Sequence, residues 1–214
     1  MLSAVVVLAA ACNESRAPMA RHAVALPDSL SDLSVDSVLT APVVRGRQVA
    51  LPATFAAALT RYSPAFAVLG RHDLSKDARD YIVHDTTLSR SPVFGVVADF
   101  DGDGRQDAVV MGRKNDTVVT LALMNRPTGV DVIAIDSVPT GPRPATGWAF
   151  HILTPQPAGT VKFEYLYEDE PKPGAPQYGT IELKHSGFVI AAVDVAGTLY
   201  YWRDGKFQSF QISD

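Results

Sequence analysis

Asp99-Phe100-Asp101-Gly102-Asp103-Gly104-Arg105-Gln106-Asp107 sets carboxylates at relative positions 1, 3, 5 and 9 and a glycine at position 6. A hard cation that prefers oxygen ligands asks this of a short loop, and calcium is the expected ion. The side chains at positions 1, 3 and 5 converge on one point only if the backbone curls tightly around it, and Gly104 can adopt the angles of that curl. At position 7 the carbonyl of Arg105, not its side chain, is the expected ligand. The expected metal residues are therefore Asp99, Asp101, Asp103, Arg105 and Asp107. Asp and Gly are also ordinary turn formers. Four carboxylates packed this closely, however, repel one another unless a cation lies among them.

The flanks decide what kind of loop this is. Pro92-Val93-Phe94-Gly95-Val96-Val97-Ala98 reads as a buried strand and Ala108-Val109-Val110-Met111 as another, so the loop joins two strands. An EF-hand needs helices on both sides and a bidentate Glu at position 12, where this chain has Val110. The run Phe94 to Val110, FGVVADFDGDGRQDAVV, resembles the FG-GAP or VCBS-type repeat of integrin-like propellers, with a Phe-Gly opening and a loop of the form DxDxDGxxD. The resemblance implies calcium at Asp99, Asp101, Asp103 and Asp107. Propellers need about four or more blades. No second DxDxDG occurs in the chain, so a complete propeller is not expected.

The chain has 214 residues, 47% of them hydrophobic, which suits one domain with appendages and a real core. A net charge of −4 and the lack of a basic stripe argue against nucleic acid as a partner. Met1 to Cys12, MLSAVVVLAAAC, is an apolar run too short to cross a bilayer and ends in small residues, as a secretory signal does. Its junction Leu8-Ala9-Ala10-Ala11-Cys12 resembles the bacterial lipobox, which implies removal of residues 1–11 and a lipid on Cys12. Cys12 is the only cysteine and has no intramolecular disulfide partner. The protein is therefore expected to be exported, facing the periplasm or the cell surface, and held at the membrane through the lipid alone.

Residues 12–48, rich in Ser, Asp, Ala and Pro without a sustained period, read as a flexible tether, in which Leu30 to Val38 could form a transient helix. The folded domain is expected over 49–214. Leu51, Phe55, Leu59 and Tyr62 recur at helical spacing, with Pro52 in the first turn and Ser63-Pro64 ending the run. Phe66 to Leu69 reads as extended, and Ser75 as the cap of a short helix through Tyr81. Beyond the acidic loop come strands at Thr117–Met124, Val130–Val138 and Trp148–Leu153. Asn125 to Gly129 joins the first two, and Pro139 to Gly147 is a loop. In Thr160 to Tyr167, Val161, Phe163, Tyr165 and Tyr167 share one face, and an acidic, proline-bearing loop follows at Glu168 to Pro173. Tyr178–Lys184 and Phe188–Val193 suggest a hairpin about Ser186-Gly187. Thr198–Arg203 and Lys206–Ile212 suggest another about Asp204-Gly205. The aromatic residues Tyr200, Tyr201, Trp202, Phe207 and Phe210 read as core.

The expected fold is thus mostly β (α+β), an antiparallel meander or sandwich-like sheet with one packed N-terminal helix. Val96 to Gly102 also resembles the first motif of haloacid-dehalogenase-type phosphatases, but that family alternates helices with parallel strands and places Thr or Val where Asp103 stands. His22, His72, His84, His151 and His185 show no metal-ligand spacing and no GxSxG elbow is present. The sequence points to a non-catalytic envelope module that binds a protein or a glycan and holds one structural calcium. A metal-dependent hydrolase, or one using the His72-Asp73 or His84-Asp85 pairs, is the alternative.

Overall fold

The structure, a computed structural model, describes residues 32–140, 149–164, 178–192 and 197–212. The strands in chain order begin with β1 (Leu33–Asp36), β2 (Val43–Arg45) and β3 (Gln48–Pro52). Helix α1 (Ala53–Tyr62), β4 (Ala67–Val68) and helix α2 (Lys76–His84) follow. Next come β5 (Gly95–Ala98), β6 (Asp107–Lys114), β7 (Thr117–Arg126), β8 (Gly129–Pro139), β9 (His151–Gln156) and β10 (Gly159–Glu164). The last are β11 (Tyr178–Leu183), β12 (Gly187–Ala192), β13 (Gly197–Arg203) and β14 (Lys206–Ile212). The protein is mostly β, its sheets largely antiparallel, and it is not a complete propeller.

The central sheet runs β4-β6-β7-β8, with β5 beside β4 on the same edge of β6. Its inner strands β6 and β7 are apolar over most of their length because both of their faces are covered. On β6 and β7, Val109, Met111, Ala122 and Met124 face one core, while Ala108, Val110, Leu121 and Leu123 face another. The second core is closed by Phe55 and Leu59 of α1 with Leu33, Val49 and Leu51 of β1 and β3. The first is closed by Ala78 and Ile82 of α2, by Phe94 and Phe100, and by a second sheet of order β14-β13-β12-β9. The two sheets meet at Val93-Phe94, where the Leu153 N–H donates to the Val93 carbonyl (2.7 Å) and the Met111 N–H to the Phe94 carbonyl (2.9 Å). A β10-β11 ribbon packs Val161 and Leu183 on the far face of the second sheet.

Several local readings agree with the structure. Ser75 caps α2, its hydroxyl accepting the Ala78 N–H at 3.2 Å. Asp204 and Gly205, at φ +52° and +77°, form the final hairpin turn, whose positive angles suit the right-handed twist of the flanking strands. Tyr200, Trp202 and Phe207 pack against the core as aromatic cross-strand groups, Trp202 and Phe207 edge-on at 5.0 Å. Val161 is buried and Lys162 exposed, while the acidic loop 168–173, the loop through Gly147 and residues 1–31 with Cys12 lie outside the described residues.

Other readings are corrected. The folded unit does not start at Val49: β1 and β2 lie within the segment read as tether, and Leu33–Asp36 is a strand, not a helix. β1 pairs in parallel with β3, a partner further along the chain, and β2 forms a tight antiparallel hairpin with β3; strands of four and three residues do not announce themselves by periodicity. Leu51 belongs to β3, and α1 begins only after Pro52. β7 and β8 extend through most of the expected connecting loop, pairing as far as Arg126 and Gly129. β11 and β12 form no hairpin with each other. β11 pairs with β10, and β12 lies between β9 and β13, so Lys184 to Ser186 turn the chain from one sheet to the next. Gly187, the first residue of β12, lets this strand lie close against β13, since a Cβ there would stand 2.6 Å from the Tyr200 carbonyl oxygen.

Asp32, immediately before β1, is 4% exposed, and its carboxylate accepts the Val93 N–H at 2.9 Å. Burial pushes its carboxyl up to about 6, despite the opposing N–H bonds from Val93 and Phe94 and the charges of Arg71 and Arg47. A raised carboxyl holds its proton in the folded chain at pH values where the unfolded chain has released it. Its stabilising contribution is therefore complete below pH 3.8 and is lost as pH rises through about 6. Between pH 4.5 and 7.5 the stability of wild type relative to Asp32→Asn should fall by about 2 kcal/mol, read from urea unfolding at each pH. Parallel pH profiles for the two proteins would exclude this role of Asp32.

Candidate metal centre

The connection from β5 to β6 is built by its own carboxylates. Asp99 accepts the Gly102 N–H (2.7 Å) through Oδ1 and the Gly104 N–H (2.9 Å) through Oδ2. Asp101 Oδ1 accepts the Asp103 N–H at 3.2 Å, and Asp103 Oδ1 the Arg105 N–H at 2.9 Å. These short-range bonds wind the chain into a coil that requires left-handed angles at Gly102 (φ +77°) and Gly104 (φ +83°). Gly102 has a second constraint, because a Cβ there would overlap the His185 ring from the corner between β11 and β12.

Two residues fix the coil to the protein. Phe100 points inward and is fully buried, edge-on to Phe188 (5.6 Å) and Phe207 (6.1 Å). Asp107, 1% exposed at the start of β6, accepts the Phe100 N–H through Oδ2 (3.1 Å) and the Asn125 N–H through Oδ1 (2.7 Å). Burial pushes the Asp107 carboxyl up to about 6, the two backbone N–H donors oppose that, and the negative charges of Asp101 and Asp103 add to it. A bound cation would have the opposite effect, favouring the ionised form.

Carboxylate oxygens of Asp99, Asp101 and Asp107 lie within 4.8 Å of one another. Oxygens about 2.4 Å from one centre can be no further apart than about 4.8 Å, so these three meet a necessary condition for sharing an ion. All three donors are hard oxygens, the chemistry that suits calcium or another hard divalent cation. Asp103 is not in this group, and its carboxylate turns to the Arg105 N–H and toward Arg126 Nη1, 4.0 Å away. Arg105 is exposed at position 7, its N–H directed at Asp103. The structure thus gathers Asp99, Asp101 and Asp107 of the expected set and leaves Asp103 aside.

The sequence reading missed Arg126 altogether. At the end of β7, Arg126 Nη1 pairs with Asp101 Oδ2, Nε lies 3.6 Å from Asp131, and the guanidinium stacks over the Trp202 ring at 5.4 Å. Nothing local in the sequence links it to a carboxylate 25 residues earlier; only the β6-β7 register brings the two together. The neighbouring Asn125 was also missed, and its backbone N–H holds Asp107.

The histidines form no comparable constellation among the described residues. His72 Nε2 lies 3.5 Å from the buried Asp73, whose Oδ2 already accepts the Gly70 N–H. The His151 pKa is lowered by burial, against the charge of Asp136, and its ring lies tilted against Phe150 with centroids 4.4 Å apart. The phosphatase-like motif stands between antiparallel strands rather than in a parallel α/β sheet, so its fold context is absent. No protein-family model, curated protein or solved structure matches the chain, and the likeness of Phe94–Val110 to the FG-GAP and VCBS repeats rests on its residues.

Proposed function

We propose that this is an exported, lipid-anchored envelope protein whose loop 99–107 holds one structural calcium ion, and that it acts as a non-catalytic module binding a protein or a glycan. The observation that carries the calcium part is the convergence of Asp99, Asp101 and Asp107 at the mouth of the β5-β6 hairpin. A structural role is favoured over a catalytic one because residues 102–106 are exposed and the loop's carboxylates are engaged by its own backbone N–H groups. A catalytic metal would instead face a recess with an open coordination position. Cation binding would relieve repulsion among the clustered carboxylates and lock the connection between two central strands, which links binding to folding. The anchor rests on Cys12 and the apolar run before it, and the extracytoplasmic setting supplies the ion.

Calcium at about 100 times its Kd should raise the melting temperature by roughly 5–10 °C, the shift expected of about 2.7 kcal/mol on a fold of this size. Asp101→Ala should abolish the rise and the calorimetric heat of calcium titration, and Asp103→Ala should only weaken them. Equal heats in wild type and Asp101→Ala would discard the site.

A further inference from the structure

Arg126 places a positive charge on the same carboxylate that the calcium reading needs as a ligand. The Asp101 side chain is 5% exposed and its Oδ2 is taken by Arg126 Nη1. The guanidinium does not depend on that partner alone: Asp103 is 4.0 Å and Asp131 3.6 Å away, and the Trp202 face lies beneath it. A planar, always-charged group with several acceptors and an aromatic platform can release one carboxylate without being left unpaired. We propose that Arg126 is the loop's internal counter-ion, that a divalent cation takes Asp101 from it, and that Arg126 thereby sets the affinity of the site and passes its occupancy to Trp202.

This inference rests on the calcium reading and adds a regulatory element to it. Without the ion, the Arg126–Asp101 pair holds the loop against the strand end of β7 and the face of β13. With the ion, Arg126 shifts toward Asp103 and Asp131, and its position over the indole changes. Trp202 packs edge-on against Phe207, which in turn meets Phe100 inside the loop, so the C-terminal hairpin touches the loop from both its polar and its apolar side.

The test is calcium titration of wild type, Arg126→Gln and Arg105→Gln by calorimetry, with tryptophan emission followed in a Trp148→Phe background that leaves Trp202 as the sole tryptophan. Arg126→Gln should bind calcium at least about tenfold more tightly, the order expected from removing one unit charge beside the ligand. Arg105→Gln, which removes an exposed charge from the same loop, should change affinity by less than about threefold. Trp202 emission should follow saturation in the Trp148→Phe protein and stay flat when Arg126→Gln is added. If Arg126→Gln does not fold, the Arg126 Nε–H resonance of the wild-type protein, assigned with Arg126→Lys, should move in step with calcium saturation. Calcium heats in wild type with an unchanged or weaker Arg126→Gln, an equal gain in Arg105→Gln, or an immobile Arg126 resonance would each overturn the inference alone. Absence of calcium heats in both wild type and Arg126→Gln would overturn the calcium reading and this inference with it.

Discussion

Asp107→Ala should lower the unfolding free energy by about 2–4 kcal/mol in the presence of a chelator, before any ion is considered. Its two carboxylate oxygens take the N–H groups of Phe100 and Asn125, which lie on different segments. Removing them leaves one buried and one part-buried donor without this acceptor, the buried one costing about 1–3 kcal/mol and the other less. Part of that loss is offset because the variant no longer carries a desolvated carboxylate whose pKa has been pushed to about 6. Asp107→Asn keeps one acceptor oxygen but turns an amide N–H₂ toward the other donor, so it should fall between wild type and alanine. Urea unfolding of the three proteins in EDTA at pH 7 orders them. A loss below about 1 kcal/mol for Asp107→Ala would show that the two N–H groups find other partners.

Phe100→Ala should be the most destabilising single change in the loop, at about 3–5 kcal/mol. The ring is fully buried and fills the space between Phe188 on β12 and Phe207 on β14, so its removal opens a cavity between the two sheets. The edge-on pairs add about 0.5–1.5 kcal/mol beyond burial alone. Because the fold as a whole is expected to hold only about 5–15 kcal/mol, a loss of this size should be visible as a large drop in the urea midpoint. Phe100→Leu, which refills much of the volume, should recover most of it. If Phe100→Ala melts like wild type, the loop is not seated in the core through this ring.

The parts of this fold that could be read in the sequence are those whose partners lie close in the chain. The acidic loop, the Ser75 cap, the β6-β7-β8 meander and the Asp204-Gly205 turn all depend on neighbours within one hairpin or one helical turn. Two-sided burial also left its mark, since β6 and β7 are continuous apolar runs. Hidden from sequence were features set by chain segments far apart. The parallel β1-β3 pair needs a partner beyond a connection through β2, and neither strand is long enough to show a period. The break between β11 and β12 follows from their different partners, β10 for one and β9 and β13 for the other, and its local residues look like any hairpin turn. At the site, spacing gave five expected ligands, and the fold brings the carboxylates of three of them, Asp99, Asp101 and Asp107, within 4.8 Å of one another. Spacing could not tell that Asp103 turns aside, that Asp101 is shared with Arg126, or that His185 closes over Gly102.

The position of Asp32 has a mechanical consequence. A force applied at this residue meets two attachments at once, because its carbonyl accepts the Val49 N–H on β3 and its side chain holds the Val93 N–H leading into β5. A pull there is divided at once between two segments of the interior instead of peeling a lone end strand from the surface. The start of β1 is thus clamped to the interior by both its backbone and a side chain.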